Sequence, residues 1–265
     1  MSEPQSSSQQ TFQYATYPSL ADRHAFISGG ASGIGAELVR QLADQRARVS
    51  FVDIDAGRGE QLAADLRAGG AEVHYRTCDI TDIASYQQIL QELADQLGPI
   101  RILVNNAAND ARTPFDQVTP EQWDRDLDVN IKHHFFAAST VVPMMREAGG
   151  GSIINFGSIT AHVRVPHLAG YVAAKAGIEG LTRAQATEYG KWEIRVNCII
   201  PGWILTEKQL ADHATPEALE KLLTQDQRLP HKLYADDIAR MVLWLGADDS
   251  RSCTSQLWVV DGGWW

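Results

Sequence analysis

Two rhythms of apolar and polar positions alternate along the chain. Short runs rich in apolar and β-branched residues recur at His24–Ser28, Arg48–Val52, Val73–Thr77, Ile100–Val104, Gly151–Phe156, Ile194–Ile200 and Gln256–Val260. Their length and their Val/Ile content predict buried strands. Between them, apolar residues return at spacings of three and four. Leu38, Val39, Leu42 and Ala43 follow the first run, and Leu62, Ala63 and Leu66 mark a helix from about Gly57 to Arg67. Further helices are predicted over Ile83–Leu97, over Gln122–Met145 as one long element, around Tyr171 and Lys175, and over Ala235–Leu245. Strands that alternate with helices imply an α/β chain with one doubly wound parallel sheet of about seven strands, flanked by helices. Only Trp203–Lys232 breaks the rhythm. It reads as a polar loop with short helices, placed where a lid would lie.

The chain has 265 residues, 44% of them hydrophobic, which suits one large domain from residue 17 to residue 265. Met1–Thr16 is rich in Gln and Ser and has no apolar h-region, so it is expected to be a disordered tail and not a secretory signal. A net charge of -10 argues against a nucleic-acid or anionic-membrane partner. No apolar run approaches the roughly 20 residues of a membrane span. Cys78, Cys198 and Cys253 form no CxxC pair and read as reduced thiols in a cytoplasmic protein. No metal-ligand cluster is expected.

The first strand runs into Gly29-Gly30-Ala31-Ser32-Gly33-Ile34-Gly35 and then into a helix. Strand, glycine turn and helix in this order make the phosphate cradle of a Rossmann-type fold, since glycines admit the pyrophosphate and the helix N-terminus attracts its charge. Ser28, Gly29, Ser32, Gly33, Ile34 and Gly35 are the cofactor candidates in this stretch. The second strand ends at Asp53, near the ~20-residue spacing at which a carboxylate bonds the adenosine ribose. A carboxylate there repels a 2′-phosphate, so NAD is preferred and NADP is the weaker alternative. Ile54 and Asp55 follow, and Arg58 could soften the preference. Asp79 and Ile80, after the third strand, could pack on the adenine; Asp79 could equally cap the next helix. After the fourth strand, Asn106, Ala107 and Ala108 suit close approach to a cofactor.

The candidate chemistry lies in the second half. Tyr171 and Lys175, four apart, project from one helical face. An ammonium near a phenol lowers its pKa, so Tyr171 is expected to act as a general base near neutral pH. Asn130 in the middle of a helix is either a polar residue bonded locally or a kinked site that holds a water for proton relay.

Taken together, these motifs resemble the classical short-chain dehydrogenase/reductase family, from about Leu20 to Trp265. Ser28–Gly35 is similar to its cofactor signature, with Ser28 where threonine is usual. Asn105-Asn106-Ala107-Ala108 resembles its Asn-Asn-Ala-Gly segment. Ser158, Tyr171 and Lys175 match its catalytic residues in order and spacing, and Asn130 matches the fourth. Pro201-Gly202, with Ile204 and Thr206, resembles the segment that holds the nicotinamide carboxamide. Tyr17–Leu20, Asn109-Asp110 with Arg112, Asn155–Ile159 with His162, and the Trp-ending tail resemble bacterial aldose 1-dehydrogenases of this family. That resemblance implies oxidation of L-arabinose, D-xylose or L-fucose at C1 to the lactone, and a homotetramer. Asn109, Arg112, Ser158, His162, Tyr171, Trp203, Gln209 and Trp264 are then the candidates for the sugar. Two other readings stay open: a reductase of a 3-oxoacyl thioester or a steroid, and a non-catalytic nucleotide-binding protein.

Overall fold

A computed structural model describes residues 13–265. Most of the expected N-terminal tail lies outside the described residues; Gln13–Thr16 are exposed and have no regular structure. Seven strands form one sheet in the order β3-β2-β1-β4-β5-β6-β7. They are β1 (His24–Ser28), β2 (Arg48–Asp53), β3 (Val73–Thr77), β4 (Ile100–Asn105), β5 (Gly151–Phe156), β6 (Ile194–Pro201) and β7 (Leu257–Val260). Every neighbouring pair is parallel. The helices are α1 (Gly33–Asp44), α2 (Ala56–Ala68), α3 (Ile83–Leu97), α4 (Pro120–Leu127), α5 (His133–Glu147), α6 (Ala169–Tyr189), α7 (Glu207–Asp212), α8 (Pro216–Lys221) and α9 (Ala235–Gly246). No helix among the described residues is long and apolar enough to cross a membrane.

Side chains alternate across each strand, so the sheet builds two cores. Ala25 and Ile27 of β1 join Leu38 and Leu42 of α1 and Val242 and Leu243 of α9 on one face. Phe26 joins Tyr86 and Leu90 of α3 and Val141 and Met145 of α5 on the other. All five residues of β1 are buried, as a strand covered on both faces requires. The strand order reverses between β1 and β4, and the crevice beyond the carboxyl ends of these two strands is where α/β sheets take ligands.

The expected single helix over Gln122–Met145 is instead two helices, α4 and α5, joined by a π-helical turn over Asp128–Lys132. The cause is Asn130. Its Nδ2 donates to the Asp126 carbonyl and to the Asn109 carbonyl, and its Oδ1 accepts from the Asn109 amide. A side chain that competes for the helical carbonyl and also holds a neighbouring loop widens the turn. The lid segment carries α7, α8 and a second π turn, Leu222–Asp226. A bridge between Ile204 and Leu233 closes its base, so it leaves and rejoins the sheet at one place.

Candidate active site

The glycine turn is built by exclusion. At Gly35 a Cβ would stand 1.8 Å from the Gly29 carbonyl oxygen, and at Gly29, with φ +69°, it would stand 2.8 Å from the Ala107 Cα. The turn therefore folds only with hydrogen there. Ser28 is buried and clamps β1 to β4: its hydroxyl accepts from the Asn106 and Ala107 amides, while Asn106 Nδ2 donates to the carbonyls of Ser28 and Gly29. Ser32 opens α1 without a side-chain cap, which leaves the first amides of the helix to the cleft. Asp53 sits beside this turn. Its Oδ2 accepts from the Ala31 amide at 2.9 Å and its Oδ1 from the Asp55 amide at 3.0 Å. Arg58 is engaged elsewhere, 3.6 Å from Asp55 and 3.7 Å from Glu207.

A cavity of about 1080 Å³ begins at this turn and runs to the lid. The cofactor candidates Gly29, Ser32, Ile34, Gly35, Asp53, Ile54, Asp79, Ile80, Asn106, Ala107, Ala108, Pro201, Gly202, Ile204 and Thr206 line it. Ser28 and Gly33 stand outside the lining. Asp79 is not the helix cap: Asp82 caps α3 by accepting from the Ser85 amide, and Asp79 holds the preceding turn through Thr81.

Ser158, Tyr171 and Lys175 meet in the middle of the cavity. Lys175 is 1% exposed; its Nζ donates to the Phe156 carbonyl at 2.8 Å and lies 5.5 Å from the centre of the Tyr171 ring. Burial pushes the Lys175 ammonium down to about 8. Burial also pushes the Tyr171 phenol up to about 12; the Ser158 hydroxyl pulls it down and the charge of Asp110 adds to the rise. This corrects the expectation of a phenol already tuned to neutral pH by Lys175. With the ammonium bonded to a carbonyl, desolvation of the phenol dominates. Asn130 is fully buried below and reaches the site through Asn109.

The sugar candidates divide. Asn109, Arg112, Trp203, Gln209 and Trp264 line the cavity with Ser158 and Tyr171. Arg112 is exposed and has no ion pair among the described residues. His162 is a correction. It lies outside the lining, its Nε2 is 2.6 Å from Glu179 Oε1, and Trp265 stacks on its ring at 3.5 Å. The imidazole is thus bound on its edge and covered on its face. Several lining residues were not among the candidates, Asp110 and Lys208 among them. Asp110 was visible only as the neighbour of Asn109, and Lys208 carries no pattern of its own.

A family model described as enoyl-(acyl carrier protein) reductase matches residues 29–265. The chain is 41% identical to a probable galactose dehydrogenase, GalD, of Rhizobium meliloti, over 96% of this chain and 99% of that one. It is 39% identical to a D-xylose 1-dehydrogenase of Caulobacter vibrioides, over 94% and 98% of the two chains. The solved structure of a 7α-hydroxysteroid dehydrogenase complexed with NADH and 7-oxo glycochenodeoxycholic acid superposes with a TM-score of 0.87 at 30% identity, over 92% and 94%. Sheet order, glycine turn, the Ser158–Tyr171–Lys175 cluster and these likenesses agree: the chain belongs to the short-chain dehydrogenase/reductase family.

Proposed function

We propose that this protein oxidises an aldose at C1 to the sugar lactone, with NAD as the preferred hydride acceptor. The reading rests chiefly on one observation: the cavity that holds Ser158, Tyr171 and Lys175 continues into a wall of hydrogen-bonding groups and indole rings. Asn109, Asp110, Arg112, Lys208 and Gln209 suit a ligand rich in hydroxyls, and Trp203 and Trp264 offer flat surfaces for a pyranose ring. The galactose and D-xylose dehydrogenases among the relatives support the same substrate class.

The cradle fits a dinucleotide. Its volume, its hydrogen-only glycines and the uncapped start of α1 suit a pyrophosphate, and Asp53 suits an unmodified ribose. When bound, the oxidised nicotinamide supplies the hydride acceptor and a positive charge. The chain's own residues do the rest. Ser158 orients the anomeric hydroxyl and stabilises charge that develops on its oxygen. Tyr171 accepts the hydroxyl proton at its phenolic oxygen. A phenol at about 12 must first lose its own proton, so a nearby positive charge is needed to favour the phenolate. Lys175 steadies that phenolate and holds the nicotinamide ribose. Asn130 fixes Asn109 at the wall and positions the water that carries the proton out. We further propose a homotetramer acting in the cytoplasm.

The test is initial rate against pentoses, 6-deoxyhexoses, hexoses, 3-oxoacyl thioesters and steroids, followed by absorbance of the reduced cofactor. Aldoses should be turned over with release of lactone. L-arabinose, D-xylose and L-fucose are the leading substrates, and L-arabinose and D-xylose should differ in rate, because a site that bonds a hydroxyl rejects the epimer that lacks it there. Activity on thioesters or steroids with none on any aldose would overturn the reading.

A further inference from the structure

The two walls of the cleft are tied together by one carboxylate. Asp110 follows Asn109 in the loop after β4, and only 26% of its side chain is exposed. Its Oδ1 accepts from Lys208 Nζ at 2.5 Å and its Oδ2 from Gln209 Nε2 at 2.8 Å. Both donors belong to the first turn of α7 in the lid, about a hundred residues away in sequence. The tie does not end there: Gln209 Oε1 accepts from Trp203 Nε1 at 2.8 Å. Thr206 caps the same turn, accepting from the Gln209 amide at 3.3 Å. On the opposite side Glu207 lies 3.7 Å from the Arg58 guanidinium of α2. One turn of helix thus spans from the cofactor half of the molecule to the β4 loop.

The two bonds to Asp110 are unequal. Lys208 is more than half exposed, and an ion pair of that kind contributes little by itself. The bond from Gln209 is charge-assisted and lies deeper, and it fixes the amide so that its oxygen faces the Trp203 indole. The two hydrogen bonds also settle which way round the Gln209 amide must sit, since one partner is an acceptor and the other a donor. Trp203, Gln209, Lys208 and Asp110 all line the cavity. The carboxylate has acceptor capacity beyond these two bonds, which suits a substrate that carries hydroxyls.

We propose that Asp110 is a positioning and specificity-determining residue: it docks the lid helix α7 on the β4 loop and, through Gln209, sets the Trp203 ring in the substrate wall. The substrate half of this inference rests on the aldose reading above; the docking half does not.

The experiment compares wild-type enzyme with Asp110→Ala, Asp110→Asn, Lys208→Met and the exchange Asp110→Lys/Lys208→Asp. The readouts are steady-state kinetics on the best aldose, affinity for reduced cofactor, and the rate of limited proteolysis within residues 207–226. Asp110→Ala should raise KM for the sugar about tenfold or more, with a smaller change in kcat, because a charge-assisted bond and its relay to Trp203 are lost. Cofactor affinity should stay within about twofold, since the glycine turn is untouched. The lid should be cut several-fold faster. Lys208→Met should have the smaller effect; Asp110→Asn, which keeps an acceptor for Gln209 Nε2 without the charge, should recover part of the protection and of the KM, whereas the exchange, which restores only the exposed pair, should not. Unchanged proteolysis in Asp110→Ala would overturn the docking role even if KM rises, and unchanged KM would overturn the specificity role. If no aldose is turned over at all, proteolysis and cofactor affinity still decide the docking role, so its failure is distinct from failure of the substrate reading.

Discussion

Asp53 does two things at once, and its substitution must be read accordingly. Its carboxylate faces the cavity where a ribose would lie, and it also accepts the Ala31 amide of the glycine turn. Asp53→Ala would remove the charge and loosen the turn, so affinity for both cofactors should fall. Asp53→Asn keeps an acceptor for Ala31 while it removes the charge. We expect the ratio of kcat/KM for NAD over NADP to fall about tenfold in Asp53→Asn, the size of one modest charge interaction near a protein surface. A wild type that prefers NADP, or a ratio that does not move in the variant, would remove Asp53 from this role. Arg58 meets Asp55 and Glu207 only through exposed pairs at 3.6 and 3.7 Å, which hold a guanidinium weakly, so it could soften the preference. The four-residue spacing of Tyr171 and Lys175 correctly places a phenol beside an ammonium, but spacing says nothing of how far burial raises the one and lowers the other.

Elements carry the site through their irregularities. The π turn between α4 and α5 exists because Asn130 makes three hydrogen bonds, one to the Asp126 carbonyl and two to the backbone of Asn109. Asn130→Ala would leave the amide and carbonyl of Asn109 and the Asp126 carbonyl without this partner at a partly buried place. We expect a loss of about 3 kcal/mol from the three bonds. For a chain of this size that is a fall in Tm of roughly 6–12 °C. Because Asn109 lines the substrate end, KM for the sugar should rise more than affinity for the cofactor falls. Calorimetry with kinetics on the same variant checks both, and a Tm unchanged within two degrees would contradict the account. Strand positions, the glycine turn and most of the cavity lining are legible in the sequence, because buried strands and hydrogen-only turns restrict which residues can stand there. The π turn is not, since no Gly or Pro marks a break between Gln122 and Lys132. His162 is misjudged for a similar reason: its partners Glu179 and Trp265 come from distant parts of the chain, and only the folded molecule shows the ring already occupied. Asp110 and Lys208 meet only when the lid is folded down.

At the scale of the whole molecule, three imidazoles are shut inside. His24, His133 and His134 are each 0% exposed. His24 bonds the Gly98 carbonyl and the Ser50 hydroxyl, which suits a neutral ring that donates from Nδ1 and accepts at Nε2. His133 donates from Nε2 to the Ala107 carbonyl, and its Nδ1 has no partner among the described residues. His134 faces Asn155 with one nitrogen and leaves Nε2 unpaired. Burial pushes His24 down to about 4 and His133 to about 3, with the charge of Lys175 adding to the second; His134 is also held well below its ordinary value, first by burial. The sign follows directly. In the unfolded chain these rings titrate near 6.5, so above that pH neither state binds the extra protons and stability is at its full value. As pH falls below about 6.5 the unfolded state takes up protons that the folded state refuses, and stability drops until the folded values near 4 and 3 are reached. With three such rings the uptake on unfolding should approach about three protons near pH 5, each adding about 1.4 kcal/mol per pH unit to the slope. Carboxylates whose pKa is held low, such as Asp110, add their share only at lower pH, so the first part of the loss belongs to histidine. Keeping these rings neutral also leaves Lys175 as the cation below the cleft, where a second positive charge at His133 would oppose it. Urea unfolding followed by tryptophan fluorescence at intervals from pH 7 to pH 4.5 measures the slope. Stability that stays level down to pH 5 would mean that the rings take protons as readily folded as unfolded, and His133→Gln, if it folds, should lower the slope by about one proton.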